Sequence, residues 1–330
     1  MPDSIESDLR AADPSGFVNL HKPKGWSSHD CVARVRRLLN TKKVGHGGTL
    51  DPLATGVLPI AIGRATRLIQ YLPSRKAYRA IVRFGLTTST DDLEGEVLSQ
   101  QSAAHLQRRD IETLLPQFTG TLVQTPPMFS AVQVGGKRLY DLARKGQQID
   151  VPTREVKVHK LTTIGWQGEQ ESPDLVLAVD CGPGTYIRAL ARDLGAAVGT
   201  GATLAGLVRT HSNGFDLEES MTLEALESAI AQQTFSPLSA ARAVQHLSAA
   251  TLSPPLAQRW CMGQKLAIAE ADISFEAVAL DQKSAQIGAP LRIICDQTFL
   301  GIGEIQYSDH NEPSHSKHRI LVPKMVFTPR

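Results

Sequence analysis

The residue best placed to do chemistry is Asp51, the one carboxylate in the run from Val44 to Gly56, VGHGGTLDPLATG. Glycines at 45, 47 and 48 permit positive φ and a close approach of backbone to a ligand. Pro52 removes a backbone donor and steers Asp51 away from helical geometry. A carboxylate held this way is expected to be exposed but not mobile, fit to act as a nucleophile or a base. The same residues would also make an ordinary Asp-Pro turn between two strands. Two phosphate-cradle readings fail: no Lys follows the glycines, as a nucleoside-triphosphate loop requires, and Gly301-Ile-Gly303 lacks the third glycine of a dinucleotide fingerprint. The run from Ser27 to Asp30, SSHD, holds the members of a hydrolase triad, but triads are assembled from separate parts of a fold. Ser27 and Asp30 read instead as a capping box that opens a helix with Val32, Val35, Leu38 and Leu39 as its apolar stripe.

The surroundings of Asp51 are basic. Across all 330 residues, 35 Lys and Arg nearly balance 33 Asp and Glu, for a formal net charge of +2. From Phe17 to Ser89, however, 13 Lys and Arg (positions 22, 24, 34, 36, 37, 42, 43, 64, 67, 75, 76, 79 and 83) face only Asp30 and Asp51, a local excess of +11. These cations come from several segments flanking one Gly-rich loop, which favours a polyanionic substrate, nucleic acid first, over a merely solvated face. Cys31, Cys181, Cys261 and Cys295 are far apart and form no Cys-x-x-Cys pair, so neither a zinc ribbon nor a disulfide framework is indicated, and no metal site is expected. Residues 1 to 16 are acidic, the wrong sign for a targeting peptide, and read as a disordered tail. No apolar run reaches membrane-spanning length, so a soluble, cytoplasmic protein is expected.

The elements that must position Asp51 follow from periodicity. A short strand from Phe17 precedes the capped helix, and Val57 to Gly63 is a buried strand or turn, with a short helix over Ala65 to Leu72. Lys76 to Phe84 alternates, placing Tyr78 on the face of Ala80, Val82 and Phe84. Thr87 to Gly95 is a polar turn, residues 102 to 115 a helix ending at Pro116, and Gly135 to Gly146 a short basic helix. Strands follow at Val156 to Ile164 and at Asp174 to Cys181. The turn Gly182-Pro-Gly184 then leads into a helix with Ile187, Leu190, Ala191 and Leu194 as its stripe. Arg188 on that helix is either a surface residue or a guanidinium aimed at a carboxylate. Another strand spans Thr203 to Thr210, and a helix residues 222 to 233. From about Leu252 helical periodicity ends, and short apolar runs between turns, with a polar hairpin tip at 309 to 317, point to a β-domain of about 80 residues.

With these residues in view, the chain resembles the TruB family of bacterial tRNA pseudouridine synthases, which act on uridine 55 of the T loop. The motifs that carry the likeness are GFVNLHKPKGWSS from Gly16, GHGGTLDPLATG from Gly45, Lys76-Ala-Tyr78, PPMFSA from Pro126, GKRLYDLAR from Gly136 and GTYIR from Gly184, in the expected order over residues 16 to 215. The resemblance implies an α+β pseudouridine synthase fold, a central mostly antiparallel sheet with flanking helices, and a small C-terminal PUA-like β-domain. It divides the chain into an acidic tail (1–16), a catalytic domain (17–247) with an RNA-gripping insertion at about 124–152, and an RNA-binding β-domain (248–330). Carried over by motif, Asp51 is the essential aspartate, Tyr78 stacks on the flipped base, Arg188 pairs with Asp51, Tyr186 lines the pocket and Leu207 walls it. His46 belongs to the loop that takes the place of the departing base. Lys22, and Lys137, Arg138 and Arg144 of the insertion, are expected to bind RNA. The implied partner is tRNA through its T stem-loop, bound by a monomer without an obligatory protein partner. Gly47 stands where the family usually has Thr, and His21 where Asp often precedes the Lys-Pro pair. The first could loosen the loop; neither removes a group the chemistry needs.

That chemistry breaks the bond from ribose C1′ to uracil N1, turns the base and rejoins it through C5, with no redox step and hence no cofactor. The carboxylate must be ionised in a pocket that excludes water, where burial raises its pKa and a paired Arg188 lowers it. Flipping the nucleotide costs a few kcal/mol, of which stacking on Tyr78 can return about 1–3 kcal/mol. A non-catalytic RNA binder would not need Asp51, Tyr78 and Arg188 together. A glycosidase needs two placed carboxylates, and residues 17 to 89 offer only Asp51 and the capping Asp30. Removing residues 248 to 330 is expected to cost RNA affinity and spare turnover at saturation, since the key residues lie outside them; titration followed by single-turnover measurement checks this.

Overall fold

The computed structural model describes residues 15–130, 132–140, 150–168, 171–268, 273–276, 287–307 and 318–327. The first strands in chain order are β1 (Gly16–Lys22), β2 (Val44–His46), β3 (Thr55–Ile62) and β4 (Lys76–Phe84). A hairpin of β5 (Leu86–Thr88) and β6 (Val97–Gln100) comes next, then β7 (Gly120–Gln124), then a ribbon of β8 (Gln133–Val134) and β9 (Lys137–Arg138). The long strands β10 (Arg154–Gln167), β11 (Asp174–Cys181) and β12 (Ala202–Ser212) and the short β13 (Phe215–Asp216) complete the first part. β14 (Ala249–Leu252), β15 (Leu266–Ala267), β16 (Ile273–Glu276), β17 (Pro290–Cys295), β18 (Thr298–Tyr307) and β19 (Arg319–Val326) form the second.

The nine-stranded sheet runs β1-β3-β12-β4-β11-β10-β7, with β2 on β3 and β13 on β12. Every pairing in it is antiparallel except β12 with β3, which meet over two residue pairs, Val208 with Thr55 and Arg209 with Gly56. That junction lies directly after the Asp51 loop. The alternation of β4 is real: Tyr78, Ala80, Val82 and Phe84 are buried, and they share a core with Leu175, Leu177 and Val179 of β11 and with Leu190 and Leu194 of the Ile187–Ala197 helix. Arg83 of β4 and Asp174 of β11 stand opposite each other and form a two-pronged salt bridge, Nε to Oδ1 and Nη2 to Oδ2 both 2.8 Å.

Some local expectations hold and others change. Ser28–Leu38 is the capped helix, with both halves of the Ser27/Asp30 box formed. Gly63–Tyr71 is a 3-10 helix. In place of a helix over 102–115 there are five α-helical residues, Arg108–Glu112, and a 3-10 turn, Leu115–Phe118, with Pro116 near its start. Thr87 to Gly95 is the end of a β-hairpin and not a turn alone. Lys137 and Arg138 lie in the β8–β9 ribbon, with helical geometry at Leu139 and Tyr140; the rest of that expected basic helix, Arg144 included, lies outside the described residues. Gly16 begins β1 and Ser15 accepts the Arg64 amide, so the expected tail loses its last two residues; 1–14 lie outside the described residues, as do 308–317.

The second sheet, β15-β19-β18-β17-β14-β16, packs around a fully buried Trp260. Trp260 sits on a helix, Pro254–Cys261, in a stretch expected to hold none. Two prolines hide it from a periodicity reading, yet they occupy its first positions, where missing donors cost nothing. The two sheets share a third core: Phe17 and Val57 of the first, with Ala65 and Leu68 of the Gly63–Tyr71 3-10 helix, meet Ile302 and Met325 of the second, and Phe299 and Phe327 pack alongside. Arg64 Nη1 also donates to the Phe327 carbonyl at 3.1 Å. Deleting residues 248–330 would therefore bare an apolar face of the first sheet. We expect the truncated chain to melt at a lower temperature and to aggregate, and Ile302→Ala to cost about 2–5 kcal/mol. Circular dichroism melts of the full, truncated and Ile302→Ala chains check this; identical melting would mean the shared core contributes nothing.

Candidate active site

Asp51 is held by its neighbours' backbone. The Ser28 hydroxyl accepts from the Leu50 amide (2.8 Å) and is 3.1 Å from the Leu50 carbonyl, to which it donates. On the other side, the Pro52 carbonyl accepts from Gly25 N (2.8 Å) and Lys22 Nζ (3.3 Å). Gly47 N donates to the Pro59 carbonyl at 2.8 Å, which ties the loop's backbone to β3. Of the glycines at 45, 47 and 48, only Gly48 uses positive φ, at +146°.

The largest contribution comes from Arg209. Its side chain is fully buried, and it donates from Nε to Val57 O (2.7 Å), from Nη1 to Thr49 O (3.1 Å) and from Nη2 to Gly48 O (3.1 Å). In the sheet register Arg209 stands opposite Gly56 on one side and Tyr78 on the other. Gly56 has φ +101°, and a Cβ there would lie 2.3 Å from the Arg209 carbonyl, so this junction admits only glycine.

Arg188, the second residue of the Ile187–Ala197 helix, is 5% exposed. Nη1 donates to Thr90 O and Nη2 to Phe129 O, each at 3.0 Å. Nε lies 2.9 Å from Asp51 Oδ2 and 3.6 Å from Asp92 Oδ2, off the line of a hydrogen bond, so these contacts are Coulombic. The two carboxylates differ. The Asp92 side chain is 4% exposed and accepts from Thr90 Oγ1 (2.5 Å) and Glu94 N (3.0 Å), whereas that of Asp51 is 37% exposed. Asp92 thus neutralises the arginine and Asp51 faces outward, less enclosed than a water-excluding pocket requires before substrate fills it. One turn along the helix, Arg192 donates to Asp91 Oδ2 (2.8 Å) and Thr125 O (3.0 Å).

These groups open onto a cavity of about 600 Å³, ordinary for a small-ligand site, whose lining includes Asp51, Tyr78, Ser130, Tyr186, Arg188 and Leu207. Burial pushes the Tyr78 phenol pKa up, opposed by the Arg209 cation. Gln124 clamps the Tyr186 backbone from both sides, accepting from its amide at 2.8 Å and donating to its carbonyl at 3.0 Å, while Arg154 lies over its ring at 5.6 Å. Glu94 also lines the cavity, its pKa raised first by burial and then by Asp92 and Asp51. Among the described residues, no three His, Cys, Asp or Glu side chains come together as a metal-binding group.

Five residues singled out from sequence, Asp51, Tyr78, Tyr186, Arg188 and Leu207, therefore share one cavity. His46 stands beside it, its ring 5.6 Å from that of the cavity residue His29. Lys22 must be corrected. It is fully buried and donates to the carbonyls of Pro23 (2.9 Å), Trp26 (2.6 Å) and Pro52 (3.3 Å), so it pins the loop and cannot meet a phosphate. Asp92 and Arg209 were missed. Arg209 carried a signal, since it is in phase with Leu207 along a strand and an inward arginine must have partners.

Residues 36–187 match the model described as TruB family pseudouridylate synthase (N terminal domain), 188–246 that of the tRNA pseudouridylate synthase B C-terminal domain, and 248–312 that of pseudouridine synthase II TruB, C-terminal. The tRNA pseudouridine synthase B of Trichormus variabilis is 51% identical over 316 residues, 95% of this chain and 99% of that protein. Its counterpart in Acaryochloris marina is 56% identical over 251 residues, 76% and 86% of the two chains. A solved Cbf5-Nop10-Gar1 complex includes a chain that superposes with a TM-score of 0.70 at 26% identity, covering 96% of this chain and 85% of that one. The fold is that of these synthases, a mixed α+β sheet with a C-terminal β-unit.

The loop itself should respond to acid. His46 Nδ1 accepts from Gly48 N at 3.2 Å, which only the neutral ring can do, and burial, then the His29 and Arg209 charges, hold its pKa below 6.5. A base whose folded-state pKa is depressed contributes stability that is present above pH 6.5 and is lost as pH falls through the folded value. We expect unfolding free energy to drop between about pH 7 and about pH 5, and His46→Asn, whose Oδ1 can accept the same bond without titrating, to remove part of that slope. Urea denaturation across the range tests it; equal slopes would show that His46 contributes nothing to the acid response.

Proposed function

The chain belongs to the TruB family of pseudouridine synthases, and on that premise we propose that the Asp51 cavity isomerises uridine 55 of the tRNA T loop to pseudouridine. The observation that carries the reading is the 2.9 Å contact of a buried Arg188 with an outward-facing Asp51, beside Tyr78 in one cavity. The reaction breaks C1′–N1 and forms C1′–C5; N1 gains a proton and C5 loses one, so no oxidant or cofactor is needed. Three roles are open to the carboxylate: attack on C1′, attack on C6, or removal of a sugar proton. All three use the Asp51 carboxylate, whose counter-ion is Arg188 at 2.9 Å.

The flipped uracil stacks on Tyr78 between Leu207 and Tyr186, and its entry completes the exclusion of water from Asp51. His46, on the same loop, fills the space the base leaves. Residues 17–247 perform the chemistry, the insertion at about 124–152 grips RNA through Lys137, Arg138 and Arg144, and residues 248–330 bind tRNA away from the T loop. The protein works as a cytoplasmic monomer on tRNA alone. In support of the tRNA assignment, the Trichormus variabilis tRNA pseudouridine synthase B matches over 95% of this chain and 99% of its own length, and no helix among the described residues is long and apolar enough to cross a membrane.

Asp51→Asn should yield no detectable pseudouridine while binding tRNA nearly normally, checked by mapping pseudouridine in tRNA transcripts; measurable turnover would remove Asp51 from the mechanism. Arg188→Met should lose activity and about 3–5 kcal/mol of stability, because it strands the buried Asp92. Salt titrations separate RNA contacts from supports. Lys137→Ala and Arg138→Ala should each lower the log–log salt slope of tRNA binding by about 1, whereas Lys22→Ala should lower stability and leave the slope unchanged.

A further inference from the structure

Ser130 lines the Asp51 cavity, is 4% exposed, and its Oγ has no hydrogen-bond partner. Its backbone is fixed on both sides: the Ser130 carbonyl accepts from Tyr140 N at 3.1 Å, and the preceding carbonyl, of Phe129, accepts from Arg188 Nη2 at 3.0 Å. The hydroxyl alone is uncommitted. Six buried side-chain atoms among the described residues lack partners, and those of Asn19, Arg154, Thr163 and Trp260 lie on residues that do not line this cavity. The remaining two are Ser130 Oγ and Arg188 Nε, and the latter already faces Asp51. A buried hydroxyl without a partner is disfavoured relative to a methyl group, so as a purely structural residue Ser130 would be better replaced by alanine.

We propose that Ser130 is a substrate-binding residue whose hydroxyl bonds an oxygen of the flipped nucleotide. The inference rests on the uridine reading above and deepens it. A flipped nucleotide offers uracil carbonyls, ribose hydroxyls and phosphate oxygens, each able to accept from a serine, and Ser130 is held one residue from the Phe129 carbonyl that anchors the Asp51 partner. Bonding the nucleotide at this point completes the hydroxyl and seats the base against Arg188 in the same step.

The test is Ser130→Ala, measured for thermal unfolding without RNA and for steady-state and single-turnover pseudouridine formation beside wild type. The expected result is a melting temperature equal to or above wild type together with a kcat/KM lower by about 5- to 30-fold, the value of one hydrogen bond made only to substrate. A rise in KM alone places the bond on a group that does not change during the reaction, a fall in kcat on the base itself; both uphold the role. Wild-type kcat/KM in the variant would overturn the inference while leaving the reaction assigned to the cavity intact. A clear loss of melting temperature would also overturn it, by making the hydroxyl structural. Wild-type protein that forms no pseudouridine would defeat the uridine reading, and this inference with it.

Discussion

The structure depends on how a buried guanidinium is satisfied. Arg188 has almost no access to water, so its charge and its N–H groups must be answered by the protein. Two carbonyls take the Nη donors, and two carboxylates flank Nε. These four groups come from three segments far apart in sequence, and the arginine cannot stay buried unless all of them arrive. Its demands thereby fix the hairpin end, the root of the insertion and the Asp51 loop relative to one helix. The division of labour between the carboxylates matters as much. Asp92 is enclosed and doubly hydrogen-bonded, so Arg188 keeps a counter-ion even when Asp51 is engaged elsewhere.

Arg209 does for the backbone what Arg188 does for the charge. It has no carboxylate within its hydrogen-bond set and spends three donors on carbonyls of the segment that leads into and out of the Asp51 turn. Lys22 does the same at Pro52. Buried cations bound to carbonyls in this way leave a positive field around the loop while holding it still, so rigidity and electrostatics come from the same side chains.

Much of this was legible in the chain. Asp51 stands in a turn marked by Gly and Pro and Tyr78 in a clean alternation, so local rules place both, whereas Tyr186 and Arg188 were singled out by the motif resemblance. What failed did so for physical reasons. Counting charges treats every Lys as solvated, which misplaced Lys22. The count also stopped at Ser89, just short of Asp91, Asp92 and Glu94, because a polar hairpin end has no period to say which carboxylate points inward. The Pro254–Cys261 helix was lost because prolines punctuate in both directions, closing one element or opening the next. The shared core between the sheets joins residues nearly 300 positions apart, a pairing no local pattern encodes.

Arg188 and Arg192, one helical turn apart, each reach the same two neighbours, the hairpin end at 90–92 and the segment 125–129. Two bonds a helical turn apart act as a ratchet stop: shifting the segment 125–129 along the helix would break both at once, so its register is locked to the same arginine that faces Asp51.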